Sequence, residues 1–441
     1  MRTTIAIAVV LMLVVAGCSQ APGTGTTTDM DANTTDAATT DRQETVVEPD
    51  DPESDVLGWE NGLWYNETID VNPEDGLNET ELNETVSRSM ARVERIRQLE
   101  FEERVSVEIV TREEFRDERS NSTTSDDRRL FDNAKYESLF MMDESTDSIA
   151  VQNNNSGTSV GGYYDPTSEE IVVVSENAST PQLDEITLSQ ELFHALQDQK
   201  FNFSSFNQST RELHNAKDGI IEGDGNYVDY LYSQRCEDEW NGDCLTPEQS
   251  SGSSNSGLAN IGPYLLKFQP YSDGPAFVRG IKNEGGWEAV NQVYENSPES
   301  SEQIIHPEKY GTDSPAEFGV ENRASDGWER MTFEDRPNYG SVGEAGMMAM
   351  FMYPYYQSEG QTQIVPAREF FNREAGTTQL SQLDPLNYNS TYSAGWDGDK
   401  LAVYTNDDAE TNETGYVWKS VWDSEQDASE FAEGYREVLT Y

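Results

Sequence analysis

The chain is short of positive charge. Only 29 of its 441 residues are Lys or Arg against 83 Asp or Glu, a formal charge of −54. A surface of that sign repels a phosphate backbone, which excludes nucleic acid as a partner. Histidine is equally scarce, with His194, His214 and His306 the whole supply, and so is cysteine, with Cys18, Cys236 and Cys244. Two thiols beyond Cys18 cannot knit a disulfide framework, and with no histidine nearby they make a poor zinc site. Long apolar runs are also missing. The one at Thr3–Ala16 is shorter than the ~20 residues that span a bilayer. There is no internal repeat.

Excess acid at a mean hydropathy of −0.74 can mark disorder. Aromatic content argues otherwise, because 8 Trp, 21 Tyr and 16 Phe can build a core. The combination points to a folded, salt-adapted protein. Molar salt shortens the Debye length to about 3 Å and makes a dense acidic surface tolerable.

The first residues read as an address. The run from Thr3 to Ala16 has the form of a signal peptide, and Val15-Ala16-Gly17-Cys18 resembles a lipobox, whose cysteine takes a lipid before cleavage. Residues 1–17 are then a lipoprotein signal peptide, with membrane attachment through Cys18 on the extracytoplasmic face. Residues 18–55, rich in Thr and Asp and almost free of large apolar side chains, form a disordered tether. Export suits a local disulfide between Cys236 and Cys244. It also suits the many Asn-X-Ser/Thr sequons, among them Asn66, Asn78, Asn83 and Asn121.

Within the folded part, residues 79–101 place Leu82, Val86, Met90, Val93 and Ile96 at helical intervals, with Arg88, Arg92, Arg95 and Arg97 among them. Val105–Val110 alternates as a strand, and residues 113–118 and 130–142 read as helices. Residues 159–174, with the turn Asp165-Pro166-Thr167-Ser168, predict a β-hairpin feeding a helix from about Leu183 to Lys200. Helices are expected at 218–232, 286–295 and 343–353, the last rich in Met and read as gap-filling core. Gln249–Gly257 is a Ser/Gly loop. Strands at 400–404 and 416–421 and a helix at 427–439 complete the pattern. The class is α+β, with a largely helical downstream half, a domain over 56–390 and a small strand-helix unit over 391–441.

One stretch carries candidate chemistry. Gln190-Glu191-Leu192-Phe193-His194 differs by one residue from H-E-x-x-H, in which two histidines four apart aim at one Zn²⁺ and the glutamate serves as general base. Ile221-Glu222-Gly223-Asp224 follows, similar to the element that supplies a carboxylate ligand in glutamate zincins. Downstream lie Phe268-Gln269-Pro270-Tyr271, Gly274-Pro275-Ala276-Phe277-Val278, Gly285-Gly286-Trp287 and Gln303–Tyr310. With the motif helix these resemble the Haloferax-type surface lipoprotein family of haloarchaea, over residues 78–441. The resemblance implies a zincin-like core in which the hairpin before the motif helix holds an extended peptide by strand addition.

By that resemblance Glu191 is the catalytic base, His194 and Glu222 are metal ligands, and Gln190 stands in the lost ligand position. A neutral amide replaces an imidazole poorly, so the expectation is a non-catalytic protein without a metal cofactor that binds an extended peptide or surface partner. The alternative is a membrane-tethered zinc metallopeptidase with an unusual ligand set. The residues also allow plainer readings, in which Gln190 and Glu191 form a buried hydrogen-bonded pair and His194 is a core histidine held by Glu222. His214, eight residues before Glu222, would lie about 12 Å from it on a continuous helix, too far to share a metal. His306, before Pro307, reads as a structural histidine.

Overall fold

The computed structural model describes residues 51–72, 75–120, 124–175, 177–246, 258–406 and 413–441. The expected signal peptide, the expected lipobox with Cys18, the expected tether up to residue 50, the sequon at Asn121 and the whole Ser/Gly loop lie outside them.

A two-stranded ribbon, β1 (Trp59–Glu60) and β2 (Leu63–Trp64), packs on helix α1 (Glu79–Arg97). Asn78 starts α1 by a capping box with Glu81, and Gln98 stops it in the left-handed region. Then come β3 (Ser106–Thr111), α2 (Arg112–Ser120), α3 (Asp126–Ser138), α4 (Ser148–Ser159), β4 (Gly162–Asp165), β5 (Glu170–Ser175) and α5 (Glu185–Phe201). Helix α4 is not legible in the sequence, because Gln152-Asn153-Asn154-Asn155 breaks any apolar period. Asp147 supplies its start by accepting the amides of Ile149 and Ala150. The expected hairpin is β4 and β5, antiparallel, with β3 added parallel to β5, so the order is β3-β5-β4 and β4 is an edge.

Two long helices follow, α6 (Arg211–Asp238) and α7 (Ile261–Glu295). Glycines let them touch. A Cβ on Gly223 would lie 2.6 Å from the backbone of Gly274, so neither position tolerates a side chain. Helix α7 extends far upstream of the expected 286–295 because Pro270 and Pro275, ordinarily helix breakers, are absorbed in a buried segment between α6 and the later helix at 343–357. Its one break is Gly286, at φ 72°.

The chain ends with α8 (Glu302–Ile305), β6 (Trp328–Arg330), α9 (Gly343–Gln357), α10 (Ala367–Phe370), β7 (Trp396–Asn406), β8 (Glu413–Trp422) and α11 (Glu425–Val438). Strands β6, β7 and β8 form an antiparallel sheet in that order. The fold is α+β. One apolar core gathers Met90, Val93, Leu192, Phe193, Leu196 and Val228 between α1, α5 and α6. A second surrounds α9, where Met347, Met348, Met350 and Met352 are fully buried with Phe370, Tyr388 and Trp396.

No described helix is long and apolar enough to cross a membrane. Cys236 and Cys244 are joined by a disulfide.

Candidate functional site

Helix α5 begins at Asp184, whose carboxylate caps the amides of Ile186 and Thr187. Glu185 in its first turn fastens the helix to α1. It pairs with Arg88 at 2.9 Å and Arg92 at 2.7 Å, and accepts from the Tyr232 hydroxyl and the Leu245 amide. The disulfide sits beside this cluster, with Arg92 also reaching Cys244 Sγ at 3.2 Å. The motif residues two turns on are thus carried by a helix pinned at its N-terminus by buried charge.

All of Gln190, Glu191 and His194 are buried, and His194 meets Glu222 across the α5–α6 contact, Nε2 to Oε2 at 3.3 Å. Gly225, one helical turn after Glu222, makes room for the ring, since a Cβ there would lie 2.8 Å from His194 Cε1. The other ring nitrogen, Nδ1, is 2.7 Å from Gln197 Oε1. Gln197 Nε2 donates to the Ile221 carbonyl and to the Tyr294 hydroxyl, which donates in turn to Asp224 at 2.8 Å. Asp224 is paired with the fully buried Arg97 at 3.0 Å. On the far side, burial pushes the Tyr271 hydroxyl well above its usual range, and Glu222 lies close enough for its carboxyl to add to that push. A continuous polar chain therefore runs from Glu222 through His194, Gln197, Tyr294 and Asp224 to Arg97, with Tyr271 beside its Glu222 end.

Glu191 has a different partner. The Val174 amide donates to the Gly161 carbonyl, so odd-numbered residues of the hairpin bond β5 while the peptide groups of Gly162 and Tyr164 face outward from the edge. Glu191 Oε2 accepts that outward amide of Tyr164 at 3.0 Å. Burial pushes the Glu191 carboxyl up to about 7, against the pull of His194. Burial would lower His194, but the Glu222 carboxylate outweighs it and raises the imidazole to about 9. The His194–Glu222 contact is thus an imidazolium–carboxylate pair at neutral pH.

Gln190 is neither hydrogen-bonded to Glu191 nor part of the chain, and its buried Oε1 has no hydrogen-bond partner. One imidazole, one carboxylate and one amide do not fit a catalytic zinc, which keeps three strong ligands and an open position. His214 and His306 do not join them. His214 lies on α6 with Glu222, paired with Asp218 at 3.1 Å, and His306 pairs with Glu344 at 3.0 Å.

Two other places gather polar groups. Among the described residues, one acidic group brings three ligand atoms within 4.8 Å of one another, Glu302, Asp313 and Asp423. The Lys309 ammonium already pairs with all three, at 2.5, 3.1 and 2.7 Å. A cavity of about 550 Å³ opens between Glu212, Tyr339, Trp396, Asp399 and Lys400. Two of its carboxyl groups are engaged, Glu212 by the Ser301 amide and hydroxyl and Asp399 by five donors.

Sequence reasoning missed Tyr164, Gln197, Tyr271 and Tyr294. Gln197 carried a usable signal, because i+3 on a helix places it beside His194. Tyr271 stood within a quoted downstream segment without a role, and the other two are joined to the site only by the fold.

Residues 329–441, from within β6 to the C-terminus, match a domain of unknown function (DUF8575). No curated protein and no solved structure matches the chain.

Proposed function

We propose that the protein is a non-catalytic, zincin-like surface protein of a salt-adapted cell, anchored by a lipid on Cys18 and engaging an extended peptide or surface partner. The observation that carries the non-catalytic reading is that each reactive side chain of the motif is consumed internally. His194 uses both ring nitrogens, on Gln197 and Glu222, and Glu191 closes on the Tyr164 amide. A hydrolytic base needs a free carboxylate facing a water on an open metal, and Glu191 faces its own edge strand instead. Strand addition to β4 is left the outward peptide group of Gly162 and the carbonyl of Tyr164. Export and lipidation rest on the sequence of residues 1–18, and salt adaptation on the net charge.

The test is metal content and peptidase activity of the full-length protein purified in molar salt. The expected result is zinc far below one equivalent and no cleavage of unfolded peptide substrates. Near-stoichiometric zinc, or an activity abolished by Glu191→Gln, would overturn the reading. Gln190→His supplies a third strong ligand one turn before His194 and should raise zinc affinity measured by chelator competition. If it does not, residues 190, 194 and 222 do not share zincin geometry. Cys18→Ser should release the protein from the membrane, and continued lipid labelling would remove the anchor from the proposal.

A further inference from the structure

Sheet edges are where this molecule differs from place to place. Strand β6 is an edge of three residues, and β4 is an edge of four whose Tyr164 amide is capped by Glu191. Strand β8 is ten residues long, about 30 Å at the usual rise. It is paired with β7 on one side, and among the described residues no backbone hydrogen bond or bridge reaches the other side of Thr414–Trp422. Proline, a bulge or repeated charge normally blunts such an edge. Between Thr414 and Trp422 there is no proline and one charge, Lys419, and the bulge of this sheet lies at its end, on β7 between Trp396 and Gly398.

Charge distribution narrows what can dock there. In a chain carrying 83 acidic residues, Thr414–Trp422 has none. Tyr416 and Val417, at 40% and 48% exposure, are among the few exposed large apolar residues. An acidic protein can bring two copies of itself together with least repulsion at such a strip.

We propose that the free edge of β8 pairs antiparallel with the same edge of a second copy, joining two three-stranded sheets into one across a two-fold axis. The hydrogen-bond register supports this occupant. Leu401 exchanges both backbone bonds with Gly340, and the Val403 carbonyl accepts from Met331, so odd residues of β7 face away from β8 and even ones face it. Their partners Val417 and Gly415, opposite Ala402 and Tyr404, bond β7, which leaves Thr414, Tyr416 and Trp418 with outward amides and carbonyls. A two-fold axis at Tyr416 sets Tyr416 against itself and Thr414 against Trp418. Every pair is outward-facing and roughly six hydrogen bonds form. The same register sets Glu413 opposite Lys419 twice. Axes at Gly415 and Val417 also align outward residues, but neither sets Glu413 opposite Lys419. An axis at Trp418 would set Glu413 opposite Asp423, a like-charge pair, so the charges select Tyr416.

The test uses the full-length protein in detergent and molar salt, with mass measured by sedimentation over a range of concentrations. A dimer is expected. Lys419→Glu turns both Glu413 pairs repulsive and should weaken the dimer about tenfold or more. Glu413→Lys combined with Lys419→Glu should restore it, a rescue that a folding defect would not show. Tyr416→Cys places two thiols across the axis at a separation suited to a disulfide and should give a covalent dimer under mild oxidation. A monomer at all concentrations would overturn the proposal. So would a dimer that is indifferent to Lys419→Glu and that the Tyr416→Cys variant fails to cross-link.

Discussion

Around α5 and around α9 the molecule buries carboxylates in opposite ways. Near α5, Glu185 faces two guanidinium groups and Asp224 faces Arg97, all at or near zero exposure. Near α9, Asp399 of β7 is just as buried, but its donors are neutral. The amides of Val342 and Gly343 at the start of α9, the Ser341 hydroxyl and the indoles of Trp396 and Trp418 all point at it. The outcomes differ in sign. Burial drives both carboxyl groups up, yet Arg88 and Arg92 hold Glu185 below the usual carboxylate range, whereas five neutral donors leave Asp399 above it. A full opposite charge reverses a desolvation that dipoles only reduce. A chain with 29 basic residues has placed several of them inside, beside the motif helix, instead of on its acidic surface.

The largest effect should come from breaking a charged pair. Arg97→Leu leaves Asp224 as an uncompensated buried charge and should cost about 3–5 kcal/mol in denaturant unfolding at molar salt. Arg97→Leu with Asp224→Leu should recover most of that loss. Recovery separates the cost of an orphaned charge from that of lost packing, and a double variant as unstable as the single one would assign the loss to packing.

Asp399→Ala should cost less, about 2–3 kcal/mol, because it orphans neutral donors and not a charge. Equal losses at the two sites would erase the contrast. Either figure is read from the same unfolding curves.

The pH dependences should run in opposite directions. Glu185, depressed in the folded state, contributes stability present above its ordinary value of 4.5 and lost as pH falls through its folded value. Asp399, raised in the folded state, contributes stability fully present below 3.8 and lost as pH rises through its folded value. Unfolding of Glu185→Gln and Asp399→Asn beside the parent, across pH 3 to 8 in steps, measures each contribution by difference. Parallel curves would show that the donors around Asp399 act as strongly as a cation.

The smallest effect belongs to Lys309, whose three carboxylate partners include two that are well exposed. Lys309→Met should change stability by about 1 kcal/mol or less in molar salt and by more as salt is lowered, because solvent and ions screen that cluster. A loss matching Arg97→Leu would place Lys309 among the buried pairs.

Much of the local structure was legible before any tertiary contact. The apolar intervals of α1, the hairpin turn at Asp165–Ser168 and the motif helix all rest on neighbours within a few residues. So does the pairing of Cys236 with Cys244. Helix α7 was misjudged because Pro270 and Pro275 break an isolated helix, whereas packing against α6 and α9 outweighs their cost. Helix α4 was missed because its start depends on one cap and its sequence has no apolar face.

At the site the division is sharper. Composition and spacing alone determined that the chain is strongly acidic, that Gln190, Glu191 and His194 share a helix, and that Gln190 breaks the histidine pair a zinc helix requires. Whether Glu191 is a free base or a cap on its own edge strand depends on where β4 lies relative to α5. Whether His194 is a bare ligand or a charged partner of Glu222 depends on the approach of α6, which Gly225 permits. Those are contacts between segments tens of residues apart. Sequence spacing constrains which side chains share a face, but only packing of one face on another decides which polar groups lose water and what they bond instead.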